Sequence, residues 1–326
     1  MVSQNLIARL SVVLDLLLLP VVVPAAWIMK LVRRVGMERL PKTRSLLRRI
    51  GVFPVRDHYY EPLFDFSHLK SKLSSDRLIP GLDLNVPAQL DLLGRFDYQE
   101  ELSAFPLLYS GEGSYFFENG WYGAGDAEFL YSLIRLMQPR RIIEVGSGYS
   151  TLVAIEALRR NAEGGAALCD HLCIEPYERS WLESKGVTVI RERLEDVGTE
   201  RFRELQANDI LFIDSSHVIR PQGDVLKEIL EILPTLNPGV LVHFHDIFTP
   251  RDYPEAWLEE KVLLWNEQYL LEAFLSCNRE FEVIGALNFL TRHHFSLIAE
   301  KFPVLALQGP SASPAAFWLR RRPVHS

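Results

Sequence analysis

From about residue 126 the chain alternates between two hydrophobic periods. "DAEFLYSLIRLMQP" carries apolar residues at helical spacing and stops at Pro139, and "RIIEVGSG" is a short apolar run ending in a glycine turn. "STLVAIEALRR" then predicts a helix, "LCIEPY" and "VTVI" strands, "DILFIDSS" a strand, "DVLKEILEILPTL" a helix and "GVLVHFHD" a strand. Short apolar runs bounded by turn residues are buried strands, and the longer 3.6-period stretches are helices. Their alternation predicts an α/β fold, with a mostly parallel sheet covered by helices on both faces. Ligands in such sheets sit beyond the carboxyl ends of the strands. The polar clusters of this chain fall at those ends.

The amino terminus follows a different pattern. "LSVVLDLLLLPVVVPAAWIMKLVRRVG" is a hydrophobic helix of about the length that spans a bilayer, interrupted by Asp15 and by Pro20 and Pro24. Proline removes a backbone donor and bends a helix. Three geometries follow: a kinked helix that dips into one leaflet, a true span, or a helix docked on the protein or a partner. The Asp-then-Pro arrangement resembles the re-entrant helix of bacterial glycosyl-1-phosphate transferases. A secretory signal fits poorly, because Trp27 and the basic Lys30, Arg33 and Arg34 follow "VPAA". The basic run keeps the body on the cytoplasmic face of the membrane, the bacterial inner membrane. The organisation expected is a membrane-associated helix at 1–36, a helical or irregular extension at 37–110, and a main domain at 111–326.

Composition changes this picture in two places. The 326 residues are 48% apolar and 24% charged, enough for a large core. The net charge of -7 hides a basic head: the first fifty residues hold nine Lys or Arg and only two acids, Asp15 and Glu38. That asymmetry suits a membrane surface and not nucleic acid, since the acidic body has no basic patch interleaved with aromatics. Cys169, Cys173 and Cys277 form no CxxC pair and are expected to be reduced core thiols.

The glycine turn "EVGSGYST" is the first chemical signal. Gly146 and Gly148, around Ser147, allow a tight turn and close approach of a ligand to the backbone, and Ser150 and Thr151 can cap the helix that follows. A dinucleotide fingerprint needs a third glycine at 151, where this chain has Thr. Glu144 is positioned to meet a cationic group. Glu175 ends the next strand, where a carboxylate can bind both hydroxyls of a ribose.

With these residues the sequence resembles the class I methyltransferases that use S-adenosylmethionine. The matching residues are E-V-G-S-G at 144–148, Glu175, Asp214 after the fourth strand, and Pro238-Gly239 before the fifth. A bacterial group carrying "GVFPVRDHYYEP", "FENGWYGAGD", "FIDSSHV", "HFHDIF" and "WNEQYLL" is closer still, over roughly residues 50 to 290 plus "FWLRRR" near the end. The resemblance implies a Rossmann-like seven-stranded sheet, mostly parallel, in which "EFEVIGALNF" and "AAFWLRR" form a last antiparallel hairpin pair. It also implies S-adenosylmethionine as cofactor, with Asn119 and Tyr122 of "FENGWYGAGD" covering its methionine end. Glu144, Gly146, Ser147, Gly148, Ser150, Glu175 and Asp214 complete the expected binding residues.

"LVHFHDIFTP" raises the question of the chemistry, because imidazoles and a carboxylate end an apolar strand. Asp214 and Asp246 end neighbouring strands, with His245 beside Asp246 and His217 shortly after Asp214. Asp214, His245 and Asp246 make a candidate site for Mg²⁺ or a similar divalent metal. The catechol-type and macrolide-sugar O-methyltransferases are similar, holding an ion with acids at these strand ends to activate a substrate hydroxyl. His245 stands where they have an acid, and Ile247 where some have an amide or acid. In the metal-free alternative, His217 or His245 acts as general base and an aspartate orients the ring. A third possibility is purely structural, and His243, deeper on the strand, is expected to be a core residue. Arg251, Tyr253, Trp265, Asn266 and Tyr269 could contact a sugar-like acceptor, or simply pack.

The expectation is an S-adenosylmethionine-dependent methyltransferase. It would O-methylate a hydroxylated acceptor, small-molecule or glycolipid-type, at a membrane surface bound through residues 1–36. The rival class is a non-catalytic S-adenosylmethionine-binding regulatory protein at the membrane.

Overall fold

The computed structural model describes residues 4–109, 111, 113–177 and 180–323, with side chains from residue 10 onward. The chain divides into two compact units, Met1–Lys72 and Leu73–Ser326.

The first unit opens with α1 (Gln4–Val35), which continues through Pro20 and Pro24 without interruption. Each proline removes one N–H from the ladder, and the neighbouring bonds carry the helix past it. Leu10–Val35, 26 residues that contain an 18-residue window of mean hydropathy 2.4, is long and apolar enough to cross a membrane. Gly36, at φ +102, ends the helix, and α2 (Pro41–Ile50) follows.

The second unit begins inside the stretch expected to be a single extension at 37–110. Its α3 (Val86–Gly94) and α4 (Gln99–Ser103) bring Leu92, Leu93 and Leu102 into the main core, with Phe96 between them. After α5 (Asp126–Met137) the pattern becomes β1 (Arg141–Val145), α6 (Tyr149–Glu163), β2 (Asp170–Ile174), β3 (Thr188–Ile190) and β4 (Ile210–Ile213). There follow α7 (Asp224–Lys227, continuing as a π-helical turn), β5 (Leu241–Phe244), α8 (Glu255–Glu259), α9 (Glu267–Leu275) and β6 (Phe281–Ala286). The chain closes with α10 (Leu287–His293), α11 (Phe295–Ala299), α12 (Pro303–Gln308) and β7 (Phe317–Arg321).

The seven strands form one sheet in the order β3-β2-β1-β4-β5-β7-β6. β7 runs antiparallel to both its neighbours, and the other pairings are parallel. The last two strands pair as expected but not as a hairpin: α10, α11 and α12 intervene, and β7 inserts between β5 and β6.

Strand alternation sends Ile210, Phe212 and Leu241 to the face covered by α5 and α6. Leu211, Ile213, Val242 and Phe244 point to the opposite face. His243 therefore belongs to the first face, fully buried and stacked on Phe212 at 3.9 Å between ring centroids. It is the core residue expected, yet neither ring nitrogen has a hydrogen-bond partner among the described residues. Burial holds its pKa well below the usual histidine value, so the ring is neutral. Of the cysteines, Cys173 is buried, Cys169 half-buried and Cys277 exposed, which corrects the core assignment for Cys277.

Candidate functional site

The carboxyl ends of β1, β2, β4 and β5 converge on one edge. Gly146 follows β1 with φ +77, and a Cβ there would lie 1.9 Å from the carbonyl oxygen of Asp214. Only glycine lets the ends of β1 and β4 approach this closely. The loop is then fixed by neighbours: the Ser147 N–H donates to Glu175 Oε2 at 3.2 Å, and the Gly148 N–H donates to Thr151 Oγ1 at 3.0 Å.

Glu144 points away from the cavities at this edge. It is buried and accepts from Ser150 Oγ at 2.7 Å and Thr151 Oγ1 at 2.8 Å, with His171 Nε2 at 3.0 Å. Its carboxylate pins the start of α6 from behind the glycine loop. Asn119 is engaged within its own loop: its Oδ1 accepts from the N–H groups of Trp121 and Tyr122, each at 2.8 Å, and its amide donates to the Phe116 and Tyr122 carbonyls. This knot fixes the loop that carries Trp121 and Tyr122 over the site.

Three cavities meet at the edge. One of about 450 Å³ is lined by Tyr122, the 146–150 loop, Glu175, Asp214, His217 and Trp265. A second, about 340 Å³, continues past Glu175 and Asp214 towards Tyr177, Arg193 and Arg220. The third, about 620 Å³, has aromatic walls from Phe117, Trp121, Phe248 and Trp257, with Glu118, Asp126 and Gln308 among its polar groups. His245 and Asp246 line both the first and the third.

His217 is buried at the centre. Its Nδ1 meets Glu267 Oε2 at 2.8 Å, while Nε2 lies 3.3 Å from Asp214 Oδ1 and 3.5 Å from Asp246 Oδ2. The Trp265 ring packs on it at 4.3 Å. Burial alone would lower the His217 pKa, but Asp214 and Glu267 outweigh it and raise it well above the ordinary value. His245 is bracketed by carboxylates too: Nδ1 is 3.4 Å from Asp246 and 3.7 Å from Asp214, and Nε2 is 3.5 Å from Asp126. Burial opposes its charge, and Asp246, Asp214 and Asp126 together raise its pKa well above the usual range. Asp214 is shifted the opposite way: burial would raise it, and the two imidazoles hold it below the usual carboxylate range. His217 and Asp246 both sit at φ +58, a left-handed conformation costly for a side-chain-bearing residue and typical of strain held at functional sites.

Ligand atoms of Asp214, His217 and Asp246 all lie within 4.8 Å of one another, close enough to share one metal ion. The imidazole joining the two aspartates in this group is His217, which the sequence suggested only as a base. Glu267 lies on its far nitrogen, a position from which a carboxylate fixes the orientation of an imidazole. Glu144, His171 and Cys173 form another such group, fully buried behind the loop.

The stretches expected to flank the site divide. Trp265 lines the cavity, whereas the Tyr253 hydroxyl accepts from the Gln268 N–H and Asn266 Oδ1 accepts from the Ile219 N–H. Arg251 donates to the Ser74 carbonyl and Tyr269 to Asp252. Glu267, Trp257 and Lys261 were not singled out in the sequence. An acid in the first turn of a helix is an ordinary sight, and nothing in its spacing marks Glu267 as buried.

Residues 143–247 match the family model described as "Methyltransferase domain". The match is to methyltransferases. It runs from within β1 to just past β5 and contains the glycine loop, Glu175, Asp214 and Asp246. The seven-stranded sheet with its single antiparallel strand has the architecture that the sequence resemblance implied. A curated relative, an uncharacterized protein of Archaeoglobus fulgidus, is 27% identical over 182 residues, 51% of this chain and 80% of that one. Among solved structures, the O-methyltransferase TomG from Streptomyces achromogenes, in complex with SAM, is 16% identical with a TM-score of 0.38, covering 72% of this chain and 90% of its own. An O-methyltransferase from Bacillus cereus in complex with SAH is 12% identical with a TM-score of 0.37, covering 72% and 91%.

Proposed function

We propose that the protein is an S-adenosylmethionine-dependent O-methyltransferase acting on a hydroxylated, sugar-like acceptor at the cytoplasmic face of a membrane. The observation that carries this reading is the shared wall: His245 and Asp246 line both the cavity under the glycine loop and the aromatic cavity beside it. The polar cluster thus lies between a chamber suited to a nucleoside cofactor and one suited to an acceptor. The methyltransferase match over the loop, Glu175 and Asp214 supports the choice of cofactor. When bound, S-adenosylmethionine supplies an electrophilic methyl group on a sulfonium. Gly146–Gly148 and Glu175 would hold it, the carboxylate accepting from ribose hydroxyls.

On the acceptor side, Trp121, Trp257 and Phe117 offer faces on which a pyranose can stack, and Glu118, Asp126 and Gln308 offer hydrogen bonds to its hydroxyls. Asp214, His217 and Asp246 suit a divalent cation such as Mg²⁺, which would lower the pKa of a hydroxyl near it. The 2.8 Å contact between Glu267 and His217 Nδ1 favours a second reading of the same residues, in which the carboxylate orients His217 and Nε2 takes the hydroxyl proton from the neutral form of the ring, which its raised pKa makes the minor one. The exposed apolar α1 supports membrane attachment.

The test incubates the purified protein and methyl-labelled S-adenosylmethionine with membranes from cells lacking it. Label should enter the glycan or glycolipid fraction and vanish with Asp246→Ala. Removal of divalent ions by EDTA should stop transfer if the metal is used, and leave it if His217 is the base. No label in any fraction would count against the enzyme and for a binding protein.

A further inference from the structure

Just beyond α1, within the same unit, lies a surface that the site does not use. On a helix of 3.6 residues per turn, Leu46, Leu47 and Ile50 of α2 share one face, while Arg44, Arg48, Arg49 and Lys42 occupy the opposite face and its flanks. No residue of α2 is buried, and Leu46 and Ile50 are 54% and 62% exposed. Val52, Phe53, Val55, Tyr59 and Tyr60 are exposed in the strap that follows. The strap is fastened to the last turns of α1. Glu61 pairs with Arg33 at 2.6 Å and Arg56 at 2.7 Å, and the Arg33 guanidinium lies over the Phe53 ring at 5.2 Å. Residues 30–50 hold eight Lys or Arg and one acid, Glu38.

We propose that α2 and the 52–60 strap form a platform that lies on an anionic lipid surface, its apolar side in the headgroup–acyl boundary and its arginines against lipid phosphates. A polyanion alone would use the basic face and leave Leu46, Ile50 and Val52 in water. A bilayer surface satisfies both faces at once. The clamp through Glu61 holds Phe53 and its neighbours beside the basic end of α1, where an embedded helix would leave the hydrocarbon, and tyrosines are at home at that depth. The inference rests on the reading of α1 as membrane-embedded and adds to it a choice of lipid: phosphate-bearing, net-negative headgroups.

The test uses the full chain carrying Cys277→Ser and Ile50→Cys, labelled at residue 50 with an environment-sensitive fluorophore. It is mixed with vesicles of phosphatidylcholine alone, or with phosphatidylglycerol added. The protein is expected to float with both vesicle types through α1. On the anionic vesicles alone the label should shift its emission to the blue and lose quenching by neutral acrylamide. Replacing Arg44, Arg48 and Arg49 with Glu should restore quenching while flotation persists. A label that stays quenched on anionic vesicles that the protein does float with overturns the platform and leaves α1 standing. Equal protection on both vesicle types overturns the lipid choice. Flotation with neither overturns both readings together.

Discussion

Gly146 has no room for a side chain. With φ at +77 and the Asp214 carbonyl 1.9 Å from any added Cβ, Gly146→Ala must push apart the ends of β1 and β4. The expected loss is on the order of 2–4 kcal/mol by thermal denaturation, with loss of cofactor binding. Glu267 acts at one remove, through His217. Glu267→Gln should lower turnover about 10- to 100-fold while the affinity for S-adenosylhomocysteine stays unchanged, and parallel loss of both would make it merely structural. At this scale the sequence is legible where backbone geometry dictates the residue. Gly146, Glu175 and Asp214 announce themselves by turn and strand-end position. Glu144 belongs to the same motif and was expected to meet a ligand, but it turns inward to Ser150, Thr151 and His171. Its partner on β2 comes from strand pairing, where Glu144 lies beside Cys173, and no local pattern encodes that.

The elements were the most legible part, because each strand is a short apolar run ended by a turn residue and each of α5 and α6 has a clean helical stripe. What local pattern did not reveal was order across the sheet. β7 enters between β5 and β6, where Trp318 packs between Phe129 and His243, at 5.6 and 4.8 Å between ring centroids. Trp318→Ala should therefore cost about 3–5 kcal/mol, read as a fall in the denaturation midpoint; a change below about 1 kcal/mol would mean that the strand is held by its ladder alone. The strap after α2 carries the pH prediction. Partial desolvation would raise the Glu61 pKa, but Arg56 and Arg33 lower it from 4.5 to about 2. A depressed carboxylate gives its full contribution above pH 4.5 and loses it as pH falls towards 2. The clamp should open across that window, for a loss of about 1 kcal/mol or less after solvent screening. NMR titration of the Glu61 carboxyl would follow it, and a midpoint at 4.5 would show that the pair does not form.

For the molecule as a whole, the division into Met1–Lys72 and Leu73–Ser326 separates the proposed attachment from the proposed chemistry. Every residue of the candidate site lies in the second unit, and the long apolar helix and the basic platform lie in the first. The sequence marked α1 and its basic flank; within the stretch read as an extension at 37–110, α3 and α4 are too short for local pattern to show that Leu92 and Leu102 belong to the core. The cofactor is the claim on which the rest of the function depends. Calorimetric titration of S-adenosylhomocysteine into the detergent-solubilised full chain, with and without Mg²⁺ and with NADH as control, tests it most directly. Micromolar binding of S-adenosylhomocysteine, lost in Gly146→Ala and absent for NADH, is the expected result. No binding by a folded protein, or binding of NADH in its place, would contradict the account.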